Sequence, residues 1–166
     1  MTLSTHIVTG AAVAKIFSSH PAEAFVIGWA THYILDSVRH WDYPLQAFAG
    51  NLLSPTETKI SFNKFLIIDF AKILLDFCLG FFLIYVLMGL TLKGNLLVLI
   101  AGGIGGTVPD FLQGLYAVFK IKPLEWLQRF HHVMHSKTSF DGHPAIGVPL
   151  QICVMLIAGF FLFAPF

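Results

Sequence analysis

The stretch KFLIIDFAKILLDFCLGFFLIYVLMGL, residues 64–90, decides the fold class. It exceeds the roughly 20 residues that an apolar helix needs to cross a bilayer. Its charged residues, Lys64, Asp69, Lys72 and Asp76, all fall in its first half. The rest of the chain agrees. Of 166 residues, 56% are hydrophobic and 11% charged, where an ordinary soluble domain has roughly 45–50% and about 25%. The mean hydropathy is +0.76, and 17 residues are Phe. A soluble fold of this size has too little interior to hide that much apolar side chain. The expectation is one domain, residues 1–166, forming an all-α integral membrane bundle.

Working outward from 64–90, four further helices are expected. They cover about 3–17, 22–39, 96–119 and 145–163, giving about five in all. The first is short for a span, so a tilted, partial or re-entrant helix is expected there. Pro21 suits the first turn of the second. Lys93-Gly94-Asn95 reads as a tight turn. The fourth is interrupted by Gly102-Gly103, Gly105-Gly106 and Pro109, glycines that suit close helix packing. Polar stretches at 41–63 and 120–144 read as loops. Arg39, Lys59, Lys64, Lys120, Lys122, Arg129 and Lys137 fall on one side, against Lys15 and Lys93 on the other. By the positive-inside rule, the N-terminus and both long loops are expected in the cytoplasm of a bacterial-type inner membrane.

Several function classes are excluded. A net charge of +1 gives no electrostatic footprint for nucleic acid. No Lys-Ser/Thr follows the glycines, so there is no phosphate-binding P-loop. HExxH, a nucleophile elbow and CxxC pairs are absent. Cys78 and Cys153 lie inside apolar runs and read as inert.

What remains is a constellation of ionisable residues on one face of the bundle. His32, Asp36 and His40 are spaced i, i+4, i+8, one stripe of a helix. Imidazole nitrogen and carboxylate oxygen together suit zinc, manganese or iron. His131, His132 and His135 form a second cluster, chelating if that stretch is helical. Asp110 follows Pro109 near the end of the fourth helix, and His6 opens the first. These seven are the expected metal ligands: His6, His32, Asp36, Asp110, His131, His132 and His135. Asp69, Asp76 and His40 are the acid/base candidates, although Lys72 can equally hold Asp69 or Asp76 in a structural ion pair. Ionisable groups in membrane helices are costly and mark function.

These residues resemble those of a known family, the small membrane-bound, metal-dependent hydrolases typified by the LexA-binding inner-membrane-associated hydrolases. Thr5-His6, Pro109-Asp110, His131 to His135-Ser136 and Thr31-His32 through Asp36 are similar to the family's motifs. The segment THYILDSVRHWDYP, 31–44, is the closest piece. The order differs, because HxxxD precedes Pro-Asp here. The Asp-x-Asp pair after Pro is replaced by Phe111-Leu112, and the His-Arg-Gly-x-Thr-His-Ser form is not reproduced.

The function expected is a membrane-embedded hydrolase at the cytoplasmic headgroup level. It would act on a phosphoester of a lipid or other amphiphile, using a divalent ion, zinc first, to activate water. The bilayer is the one other partner, with no nucleic acid. Two alternatives stand beside it. One is a non-catalytic metal site, structural or for transport; the other is an adaptor that docks a protein through 41–63.

Overall fold

The computed structural model describes the backbone of residues 1–51, 54–91 and 95–164. Lys93-Gly94 of the expected turn lies outside the described residues, as does the side chain of Lys59. The helices are α1 (Leu3–Phe17), α2 (Pro21–Asp36), α3 (Lys64–Thr91), α4 (Leu96–Phe119), α5 (Lys122–Met134) and α6 (Pro144–Phe163). β1 (Phe48–Asn51) and β2 (Ser54–Ile60) pair antiparallel, with Phe48 opposite Ile60. Among the described residues, the chain is all-α apart from this hairpin, and three helices are long and apolar enough to cross a bilayer: α3, α4 and α6. Their outward faces carry exposed side chains such as Leu75, Phe82, Tyr85, Leu156 and Phe160. Both cysteines are on such exposed faces.

The short α1 is the axis of the bundle, packed against α2, α3, α4 and α6. Ser4, Thr5, Thr9, Gly10, Ala11, Ala12 and Ala14 are all buried. Small side chains let neighbouring backbones close in from every side, which is how helices associate without a hydrophobic drive. Thr9 returns its hydroxyl to the Thr5 carbonyl, so it brings no unpaired donor inside. Ile7 and Val8 carry the apolar core with Ile84, Leu99 and Leu162.

The glycines read as a packing stripe do that work. A Cβ at Gly10 would stand 2.5 Å from the Gly102 carbonyl oxygen, and one at Gly28 would also collide with that oxygen. A Cβ at Gly106 would stand 2.5 Å from the His6 carbonyl oxygen, and one at Gly105 would collide with Phe25 O. Backbone therefore touches backbone along α1, α2 and α4, and the seam ends at His6 and His32.

Three expectations need correction, the first being that 41–63, read as a loop, carries the β1–β2 hairpin. The second helix stops at Asp36, not Arg39. Ser37 turns its hydroxyl back to Ile34 O at 2.7 Å, and Arg39 leaves to bond Ser139 O. Such local side-chain bonds compete with helix continuation. The segment 120–144 contains a sixth helix, α5, lying on α2, α4 and the hairpin. Pro123 stands in its first turn, and Glu125 pairs with Arg129 at 2.7 Å.

Candidate metal centre

Asp36, the last residue of α2, is the hub. Its side chain is 2% exposed. Oδ2 faces His32 Nε2 at 3.2 Å and His131 Nε2 at 3.4 Å. Oδ1 faces His6 Nε2 at 3.1 Å, His40 Nε2 at 3.8 Å and the Met1 amino group at 3.0 Å. Asp110 Oδ1 lies 3.7 Å from His32 Nε2 and 3.9 Å from His131 Nε2. Ligand atoms of His32, Asp36, Asp110 and His131 all fall within 4.8 Å of one another, and so do those of Asp36, His40 and His135. For bonds of about 2.0–2.1 Å, neighbouring corners of a tetrahedron are roughly 3.3–3.4 Å apart. The contacts around Asp36 Oδ2 match that spacing.

Elements far apart in sequence converge here for local reasons. His32 and Asp36 share a face of α2 at i, i+4. Pro109 has no N–H for the Gly105 carbonyl, which loosens the α4 ladder beside Asp110. At the next residue, the Gly106 carbonyl accepts a hydrogen bond from His32 Nδ1 at 2.8 Å. Only a donor can face a carbonyl, so Nδ1 carries a proton, which leaves Nε2 as the nitrogen turned toward Asp36. His40 Nδ1 donates to Val38 O at 2.7 Å, and His135 Nδ1 to Ser136 O at 3.0 Å. Backbone carbonyls orient metal-ligating imidazoles in this way. The two loops are tied by Ser136 N–H donating to Asp36 O at 2.7 Å and Phe140 N–H to His40 O at 2.7 Å.

The residues fit a metal by a separate test. His6 Nδ1 and Nε2, His32 Nε2, His40 Nε2 and His131 Nδ1 are buried with no hydrogen-bond partner. A buried polar atom left unpaired costs about 1–3 kcal/mol. Three of these atoms, the Nε2 nitrogens of His6, His32 and His40, face the Asp36 carboxylate at 3.1, 3.2 and 3.8 Å, and that grouping suits a cation better than a packed core. In the loops, burial opposes charge on His40, but Asp42 at 3.2 Å outweighs it and raises the imidazole above its ordinary value. Burial works against the Asp42 carboxylate too, and His40 beside it still holds that group well below the usual range. Burial lowers His135. The His40 and Asp42 shifts both come from the contact between those two residues.

The other expected site residues lie elsewhere. His6 and His132 belong to neither ligand group: His6 Nε2 still faces Asp36 Oδ1 at 3.1 Å, whereas the place of His132 on α5 turns it away from His131. Asp69, fully buried, accepts from Ala47 N–H at 2.7 Å and pairs with Lys72 at 3.1 Å, tying α3 to the segment before the hairpin. Asp76 accepts from the Leu3 and Ser4 N–H groups at 2.6 and 3.3 Å, capping α1. Asp42 goes unflagged in the sequence, although it stands two residues after His40, a spacing that shares a face in extended chain. Gln151 of α6 also goes unflagged; it accepts from Thr2 N–H at 2.9 Å and donates to Trp41 O at 2.6 Å.

A cavity of about 780 Å³ opens onto the cluster. Asp36, Asp42, Asp110, His131 and His135 line its polar end, with Tyr43 beside them. Phe70, Ile73 and Phe77 of α3 and Ile104, Val108 and Phe111 of α4 form an apolar wall. Phe70 and Phe111 are themselves exposed, so the cavity is open at the side of the bundle between α3 and α4. Asp110 lies nine residues before the end of α4, a depth of about 14 Å at roughly 1.5 Å per residue. Compared with models of known families, with curated proteins and with solved structures, the chain matches none.

Proposed function

We propose that this chain is a membrane-embedded, metal-dependent hydrolase of an amphiphile's phosphoester. The observation that carries the reading is the cavity: one polar end of carboxylates and imidazoles, one long apolar wall open sideways between two membrane-length helices. A tail would lie along Phe70, Phe77 and Phe111 while the head reaches Asp36 and Asp110. His32, Asp36, Asp110 and His131 would hold the ion, zinc by donor set, with manganese or iron as alternatives. A divalent ion in such a site supplies Lewis acidity and a more acidic water. The chain's own residues orient and exclude: Gly106 fixes His32, and the apolar wall keeps bulk water out. Burial raises the Tyr43 phenol, so it stays protonated and can donate to an ester oxygen.

The motif resemblance and the basic residues on the site side support the same reading, with the N-terminus and site-bearing loops in the cytoplasm of an inner membrane. A closed structural ion is the competing reading. Asp110, 28% exposed toward the cavity, argues for an open position instead.

The test is elemental analysis of detergent-purified protein beside a His32→Ala/Asp36→Ala variant, followed by a screen of long-chain phosphoesters. Stoichiometric metal that the variant loses, with turnover that His32→Ala and Asp110→Ala each abolish, supports the proposal. No metal in the wild type after adding back ions refutes it.

A further inference from the structure

We infer that Asp36 bridges two divalent cations, the second held by His40, Asp42 and His135. The inference rests on Asp36 being a ligand of the first site, as proposed above.

The two oxygens of Asp36 face different sets. Oδ2 meets His32 and His131, while Oδ1 lies on the side of His40, 3.8 Å from its Nε2. His40 is 1% exposed, its Nε2 has no hydrogen-bond partner, and its Nδ1 is committed to Val38 O. His135 is pinned in the same way through Nδ1, and its ring meets that of His40 edge-on at 4.7 Å. Both Nε2 atoms turn toward Asp42 Oδ2, at 3.2 and 4.0 Å. Asp42 is held from behind by its own N–H, which donates to Asp141 Oδ1 at 2.9 Å. Two imidazoles that each turn Nε2 to the site, a bridging carboxylate and a second carboxylate make a ligand set.

The charge count agrees. Asp36, Asp42 and Asp110 bring three negative charges to the cavity. The Met1 amino group, 3.0 Å from Asp36 and 3.1 Å from Asp42, supplies a positive one. One divalent ion would only neutralise the site. A second leaves the positive surplus that an anionic phosphoester needs. Paired ions in phosphoester-cleaving sites stabilise both the attacking and the leaving oxygen.

The experiment is equilibrium dialysis of metal-stripped, full-chain protein in detergent against Mn²⁺ and, separately, Zn²⁺. Bound metal is counted by elemental analysis, and the Mn²⁺ sample is read by electron paramagnetic resonance. The wild type is expected to take two ions and give an exchange-coupled manganese pair. His40→Ala/His135→Ala should retain one ion with an isolated manganese spectrum. If that variant loses its helical circular dichroism, His135→Gln replaces it, with the same drop to one ion expected. One ion in both wild type and variant overturns the second site and leaves the first standing. No ion in the wild type removes both. Two ions in the variant, or two uncoupled manganese ions in the wild type, overturns the ligand assignment or the bridge.

Discussion

Gly106→Ala is the sharpest test of how the fold builds the site. The new Cβ would stand 2.5 Å from the His6 carbonyl oxygen and 3.1 Å from its carbon. Both partners are backbone of packed helices, so no flexible side chain can move aside. Restoring ordinary contact requires α1 and α4 to separate by about 0.5–0.9 Å, an overpacking that costs roughly 1–3 kcal/mol. The same change at Gly114, on the same helix with nothing within 4 Å, meets no neighbour. Both variants gain the same helix propensity, about 1 kcal/mol, so their difference isolates the clash. Gly106→Ala is expected to unfold about 1–3 kcal/mol more easily than Gly114→Ala in detergent. The Gly106 carbonyl also holds His32 Nδ1, and losing a metal ligand's orienting partner typically lowers affinity about 10–100-fold. Unfolding followed by circular dichroism and metal competition against a chromophoric chelator read the two effects. Equal stability and equal metal affinity in the two variants would refute the seam as the device that positions His32.

Asp76→Ala should cost about 1–2 kcal/mol by leaving the Leu3 and Ser4 N–H groups uncapped, while metal content stays at the wild-type level. Turnover lost with stability intact would instead restore Asp76 as an acid/base group. Ile104→Trp, on the apolar wall of the cavity, should raise KM for long-chain phosphoesters about tenfold or more and spare short-chain ones. Such a change corresponds to about 1.4 kcal/mol of lost contact; an equal effect on both chain lengths would argue against a tail in the cavity.

The resemblance of motif to cluster explains how the site could be read at all. His32 and Asp36 were visible because i, i+4 spacing is a property of any helix, and the helix was visible in its hydropathy. His6, Asp110, His131 and His135 could be gathered at one face by counting helices, since each crossing reverses the chain. Asp42 and Gln151 escape such reasoning. Asp42 follows the end of a helix whose stop depends on Ser37 and Arg39, and Gln151 is a single polar residue in an apolar run. The helix α5 carries signals the loop reading passed over: Pro123 and Glu125 in its first turn, His131 and His132 in its last.

The sequence alone determined what depends on nearest neighbours: the membrane-length helices α3 and α4, the short α1, the HxxxD pair and the face that carries the histidines. Only the tertiary structure decided that Asp36 is shared, that His40 returns through a loop rather than along the helix, and that Asp69 and Asp76 hold backbone. It also opened the apolar cavity between α3 and α4. Those outcomes rest on contacts such as Asp36 with His131, 95 residues apart, and Gly106 with His6, 100 apart. Hydropathy and helical period act over a few residues, whereas closing such distances depends on which backbones can touch, and glycine packing settles that only once the helices are assembled.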